Sequence, residues 1–231
     1  MPVDDGLEIP LNASEIYARL LSQEPSIMPD LPRDQRGIYM LWDHEGVPRY
    51  IGIVDKESFH KRIDGRHRGG REENSHKFSA AYNTGRMWRD RKRLDEIIDG
   101  VQQAQRGAAA AKRVRMAFIR RYCRATFVRI EAPAGEHFGT YVRQAEAAVQ
   151  RLARPEHRSW ETQARIRLVE PVELVDSVID ELLANEQLTT TDLALLENQK
   201  RLHAMTCLAV AYGIPYVDHQ HTRHAEPCLD R

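Results

Sequence analysis

Two short apolar runs, Gly37-Ile38-Tyr39-Met40-Leu41-Trp42 and Arg49-Tyr50-Ile51-Gly52-Ile53-Val54, flank the turn-forming stretch Asp43-His44-Glu45-Gly46. This arrangement constrains the fold more than any other feature. Strand-forming residues on either side of Asp and Gly turn chemistry specify a β-hairpin. Side chains alternate between the faces of a strand, so a hairpin with one buried face can bring Tyr39 and Tyr50 to the same side, hydroxyls close together. Alone, such a pair is ordinary cross-strand packing.

The downstream residues add to it. Phe59-His60-Lys61-Arg62-Ile63 is followed by Arg66-His67, and nine positions after His67 comes His76, in Ser75-His76-Lys77-Phe78-Ser79. Much later, Arg143-Gln144-Ala145-Glu146-Ala147-Ala148-Val149 leads into Arg154-Pro155. In this order and spacing the segments resemble the GIY-YIG nuclease family, whose name quotes Gly37-Ile38-Tyr39 and Tyr50-Ile51-Gly52. The likeness is greatest to the branch containing phage homing endonucleases and some restriction enzymes, and it covers roughly residues 35–160.

The resemblance implies an α+β fold: a three-stranded antiparallel sheet with surrounding helices, in which a single carboxylate holds the metal. The residues supply matching parts. Ala125 to Ile130 is rich in β-branched and aromatic residues and reads as the third strand. A helix is expected from about Thr140 to Leu152, with Val142, Ala145, Val149 and Leu152 on one face and Pro155 ending it. Glu146 borders that apolar stripe.

Phosphodiester hydrolysis needs an activated water and neutralisation of the charge that develops on the phosphorus oxygens and the leaving group. By the resemblance, Tyr39 or Tyr50 activates water with help from His67, Arg62 steadies the phosphate, and Glu146 holds Mg2+ or Mn2+. A hard cation that keeps most of its water shell suits a site with few protein ligands. A phenol of ordinary pKa near 10 needs a cation beside it to act as a base at neutral pH, and Arg62 offers one. The Arg62 to His67 gap is one residue longer than the family pattern, so Arg66 and His67 are open to sharing the roles differently. Residues 147–184 also lack the asparagine that many members carry after the glutamate helix; His157, Arg158 and Gln163 are the candidates to stand in.

The formal net charge of zero conceals a division along the chain. From Lys61 to Arg129 there are nineteen lysines and arginines against seven acids, whereas Leu168 to Gln199 holds eight acids and no lysine or arginine. A basic middle that coincides with the motif residues is what binding to a DNA backbone requires. The expected DNA contacts are Arg66, His76, Lys77, Arg86, Arg89, Arg113, Arg115, Arg120 and Arg121. Tyr82 or Trp88 could stack on or wedge beside a base, with core packing the favoured fate of Trp88.

Composition and the two ends complete the expectation. A chain of 231 residues, 42% hydrophobic, can form one domain with a small companion. Three widely spaced cysteines fit reduced thiols, and no stretch approaches the roughly 20 apolar residues of a membrane span, so a cytoplasmic location is expected. Residues 1–34 read as a helical arm, capped by Asn12 with Glu15, and a linker; 35–160 as the nuclease domain with a basic helical elaboration at about 86–122, broken near Gly100 and Gly107; and 161–231 as an acidic helical region with a histidine-bearing tail. The apolar stripes of the terminal helices call for burial either on the core or against a second copy, which leaves a homodimer as one of two options. The overall expectation is a metal-dependent DNA endonuclease of restriction or homing type. A structure-specific repair nuclease and a DNA-binding module with a decayed site are the alternatives.

Overall fold

A computed structural model describes residues 12–70, 76–89, 101–161 and 168–212. Gly37–Trp42 (β1), Pro48–Val54 (β2) and Arg124–Arg129 (β3) form a three-stranded antiparallel sheet in the order β2-β1-β3. Ile38 to Leu41 are all buried, as suits a middle strand covered on both faces. Gly37 has φ +150°, and a Cβ there would lie 2.2 Å from the Val128 carbonyl oxygen, so glycine is what lets β1 and β3 approach at this end. The hairpin turn is built on Asp43, whose Oδ1 accepts from the amides of Glu45 and Val47 and whose Oδ2 accepts from Arg49 Nε at 2.6 Å. Gly46, at φ +74°, completes the turn.

Alternation divides the sheet into two faces. Ile38, Met40, Ile51 and Val128 pack with Ile16 and Leu20 of Ala13–Ser22 (α1) and with Val142 and Val149 of the helix Phe138–Leu152 (labelled α4 below). α1 starts in a capping box in which Asn12 Oδ1 accepts from the Glu15 amide at 3.0 Å. The other face carries Tyr39, Tyr50 and Phe127, and there Phe59 packs on Phe127 with ring centroids 5.1 Å apart. A π-helix, Lys61–Arg68, follows Phe59. Both sheet edges are occupied by other parts of the chain. On β2, the Arg49 carbonyl accepts from the Trp160 amide and the Ile51 carbonyl from Gln150 Nε2. On β3, Ala125 exchanges backbone bonds with Ser26, and the Phe127 amide donates to Gln23 Oε1.

The chain divides into two compact units, Met1–His67 with Tyr122–Thr162, and Arg68–Arg121 with Gln163–Arg231. The boundaries drawn from sequence differ from this. The basic stretch expected to elaborate the sheet domain belongs largely to the second unit, together with the acidic C-terminal helices.

The second unit contains Lys77–Ala81 (α2), most of Val101–Tyr122 (α3), Val172–Ala184 (α5) and Thr190–Ala211 (α6). α3 runs unbroken through Gly107, against expectation. The glycine serves packing, since a Cβ there would meet the Gln199 side chain at 2.7 Å. Thr189 and Asp192 cap α6 reciprocally, as their spacing suggests. Among the described residues no helix is long and apolar enough to cross a membrane. Gly100, Gln163 and the histidine-bearing tail beyond residue 212 lie outside the described residues.

Candidate active site

The β1–β2 register pairs Tyr39 with Gly52 and Leu41 with Tyr50, which puts both tyrosines on one face as diagonal neighbours. Their ring centroids are 6.1 Å apart. Gly52 makes the pairing possible: a Cβ at this position would stand 2.6 Å from the Tyr39 hydroxyl and 2.6 Å from Tyr50 Cε1. The second tripeptide thus holds a glycine because the first tripeptide's tyrosine lies across it.

The π-helix presents Arg62 and His67 to this face. Its i→i+5 bonding brings residues five apart onto one side, so the extra residue between Arg62 and His67 is absorbed by helix type and both side chains still reach Tyr39. His67 is fully buried, with Nε2 2.6 Å from the Tyr39 hydroxyl, and Arg62 hydrogen-bonds the same oxygen. Tyr50 acts on the same phenol from across the hairpin. Tyr39 is itself wholly buried, whereas Tyr50 is only half-buried.

Electrostatics separate the groups further. Burial, and then the neighbouring Tyr50, hold the Tyr39 phenol well above its ordinary pKa against the pull of Arg62. Burial, followed by the Glu146 charge, pushes Tyr50 up to about 12. Burial works against the Arg62 charge, but Tyr39, Tyr50 and Glu57 outweigh it and raise its pKa. Glu146, half-buried on α4 one turn before Gln150, is pushed up to about 7 by burial and then by Glu161, with Arg62 and Arg143 pulling the other way.

Glu161 is the residue that sequence reading missed. It follows Trp160, whose amide is bonded to the Arg49 carbonyl beside Tyr50, and its charge acts on both Tyr50 and Glu146. Nothing in the local sequence distinguishes it from a surface acid. Of the residues expected to replace the missing asparagine, His157 is engaged elsewhere, its Nδ1 lying 2.7 Å from the Tyr17 hydroxyl. The Glu161 charge raises the cost of ionising Glu146, and carboxylate oxygens suit a hard divalent cation that retains much of its water. Among the described residues no three His, Cys, Asp or Glu side chains converge as a fuller metal cage.

The expected DNA contacts fare unequally. Arg66 is exposed and pairs with Glu57 at 3.0 Å. His76 and Lys77 stand half-exposed at the start of α2, and Arg89 is half-buried with its amide donating to Asn83 Oδ1. Arg113 and Arg120 are exposed on α3, the former donating to the Gln187 carbonyl at 2.8 Å; Arg121 is exposed and pairs with Glu181 at 2.6 Å.

Two assignments are overturned. Arg86 is buried, donating through Nε to Glu170 at 2.6 Å and through Nη1 to Asp176. Arg115 is fully buried and donates to Asn83 Oδ1 and the Met87 carbonyl. Both hold the second unit together and are closed to a polyanion. Tyr82 and Trp88 are buried as well, Tyr82 against Phe118 at 5.0 Å between ring centroids, so neither meets a base. The basic surplus counted along the chain is therefore partly neutralised by the acids of α5 and the segment before it. No protein-family model, curated protein or solved structure matches the chain.

Proposed function

We propose that this chain is a metal-dependent DNA endonuclease of the GIY-YIG type. The observation that carries the reading is the convergence of Tyr39, Tyr50, Arg62 and His67 on one sheet face, with Glu146 close enough for its charge to act on both phenols. A fully buried tyrosine bonded to a buried histidine and an arginine is a costly way to fill a core, and its chemistry matches what phosphodiester hydrolysis asks for.

The two phenols take different parts. Tyr39 is wholly buried and locked in place by its hydrogen bond to His67, so it positions Arg62 and Tyr50. Tyr50, half-exposed, is the phenol that meets the attacking water. Arg62 donates to Tyr39 and keeps its permanent charge for the phosphate oxygens, where a planar guanidinium is worth most in a partly buried setting. Glu146 and Glu161 would hold Mg2+ or Mn2+, which when bound would neutralise the carboxylate charges that now raise Tyr50 and polarise the phosphate. Restriction or homing is the finer role we favour, by the family resemblance alone.

Nicking of supercoiled plasmid tests the reading. Purified protein should nick with Mg2+ and stop with a chelator, and Tyr50→Phe or Arg62→Ala should each slow nicking about a hundredfold, the scale of a lost general base or charge stabiliser. Mg2+-dependent nicking that survives both substitutions would refute this site. A specific observation supports a second reading, a DNA-binding module with a decayed site: Glu146 held near pKa 7 is only about half ionised at neutral pH, which weakens cation capture. Tight DNA binding with no nicking at any Mg2+ or Mn2+ concentration would select it.

A further inference from the structure

The last residues of β2 and the π-helix enclose a cleft of about 270 Å³, whose lining includes Asp55, Lys56, Glu57, Lys61, Arg62 and Arg66. Four of these six are cationic. Both acids pair with arginines, Asp55 with Arg143 at 2.8 Å and Glu57 through Oε1 with Arg66 at 3.0 Å, while Glu57 Oε2 is buried without a hydrogen-bond partner. The Glu57 charge also acts on Arg62, so one carboxylate holds two guanidiniums beside the same cleft. Like charges brought together in this way repel unless an anion lies between them. Arg62 Nε is buried here without an acceptor, and an unmet charged donor is costly.

The volume is below the roughly 300–1,000 Å³ of pockets that enclose a whole small ligand, and fits part of an extended one. Arg62 lines the cleft while bonding Tyr39, so cleft and tyrosine face share a guanidinium. Consecutive phosphates of one strand are offset by about 3.4 Å along a duplex axis and further by the turn of the strand around it, which makes them neighbours on the scale of adjoining side chains. Because Arg62 lines the cleft, a strand whose scissile phosphate meets it at the tyrosines runs on beside the cleft.

We propose that this cleft is a second phosphodiester subsite, gripping the phosphate next to the one that is cut, with Lys61 and Arg66 as donors and Glu57 as the residue that positions the arginines. The proposal rests on the endonuclease reading for its substrate. The cleft itself selects a phosphodiester anion.

The test is binding, without cleavage. Affinity for a duplex oligonucleotide is measured by fluorescence anisotropy with chelator present, across a series in which one phosphate at a time is replaced by an uncharged methylphosphonate. One position should weaken wild-type binding and lose its effect in the Lys61→Gln/Arg66→Gln variant, while other sensitive positions keep theirs. The log-log salt slope should also flatten in that variant by roughly 0.9 per lost contact, and Lys61→Arg/Arg66→Lys should restore it. A double variant that keeps its slope and all its sensitive positions overturns the subsite. In a separate arm, inorganic phosphate should raise the thermal midpoint of wild type but not of the double variant. If phosphate acts so and DNA does not bind, the anion site stands and the endonuclease reading fails; if DNA binds and neither arm distinguishes the variant, the subsite is overturned and the endonuclease reading rests on the nicking assay.

Discussion

Gly52→Ala tests the packing that brings the two tyrosines together, and its size can be worked from distances. The added methyl would stand 2.6 Å from the Tyr39 hydroxyl, 2.6 Å from Tyr50 Cε1 and 2.8 Å from Tyr39 Cζ, where ordinary contact begins at 3.4 Å. The Tyr39 oxygen must retreat by about 0.8 Å. It cannot swing into solvent, because the side chain is wholly buried and held 2.6 Å from His67 Nε2. Overpacking of this kind costs about 1–3 kcal/mol, and the lower entropy of an unfolded alanine returns about 0.4–1 kcal/mol, leaving a net loss of up to about 2.6 kcal/mol, centred on about 1.3 kcal/mol. Hydrogen exchange of the β1 and β2 amides reads that loss within the sheet unit and leaves the helical unit as an internal control. A displacement near 1 Å in an aligned site also costs about a hundredfold in rate, so nicking should fall further than stability. Adding Tyr39→Phe should recover part of the lost protection, since one of the two 2.6 Å clashes disappears. Unchanged protection together with nicking within threefold of wild type would refute the reasoning.

Glu146→Gln should change the pH dependence of the metal-free protein. A folded pKa of about 7 against an ordinary 4.5 means the folded state keeps a proton that the unfolded state releases over that interval, so stability is lost as pH rises from about 4.5 to 7. The shift corresponds to about 3 kcal/mol, which solvent screening of a half-exposed group reduces to about 1–2 kcal/mol. Urea denaturation with chelator should find Glu146→Gln more stable than wild type at pH 8 and equal at pH 4; no gain at pH 8 would show the carboxyl is not strained. Arg86→Ala should destabilise the helical unit by about 3–5 kcal/mol, because Glu170 keeps a buried charge without its guanidinium, while leaving the salt slope of DNA binding unchanged. A stable variant with a flatter slope would return Arg86 to the DNA surface.

Local chemistry explains what could be read from the sequence. The hairpin, the capping pairs Asn12–Glu15 and Thr189–Asp192, and the shared face of Tyr39 and Tyr50 all follow from spacings of a few residues, and the structure has them. The burial of Arg86 and Arg115 did not follow, because it depends on partners as far as 90 positions away. Until those acids are in place, an arginine in a basic run is indistinguishable from a phosphate contact. The extra residue between Arg62 and His67 was visible, but its accommodation depends on a helix type that composition does not signal. Glu161 carries no motif, and only the backbone bond from Trp160 to Arg49 brings it beside Tyr50.

The sealed edges of the sheet bear on how two copies can meet. An edge strand with free carbonyls and amides is a template for another chain, and symmetric dimers often extend a sheet across the two-fold axis. Here a strand arriving along β2 would have to dislodge Trp160 and Gln150, the first of which anchors the segment carrying Glu161. Along β3 it would have to displace Ser26 and Gln23. A continuous intermolecular sheet would thus disturb the tyrosine face on one side or undo the docking of the N-terminal segment on the other. Any meeting of two copies is thereby left to side-chain surfaces.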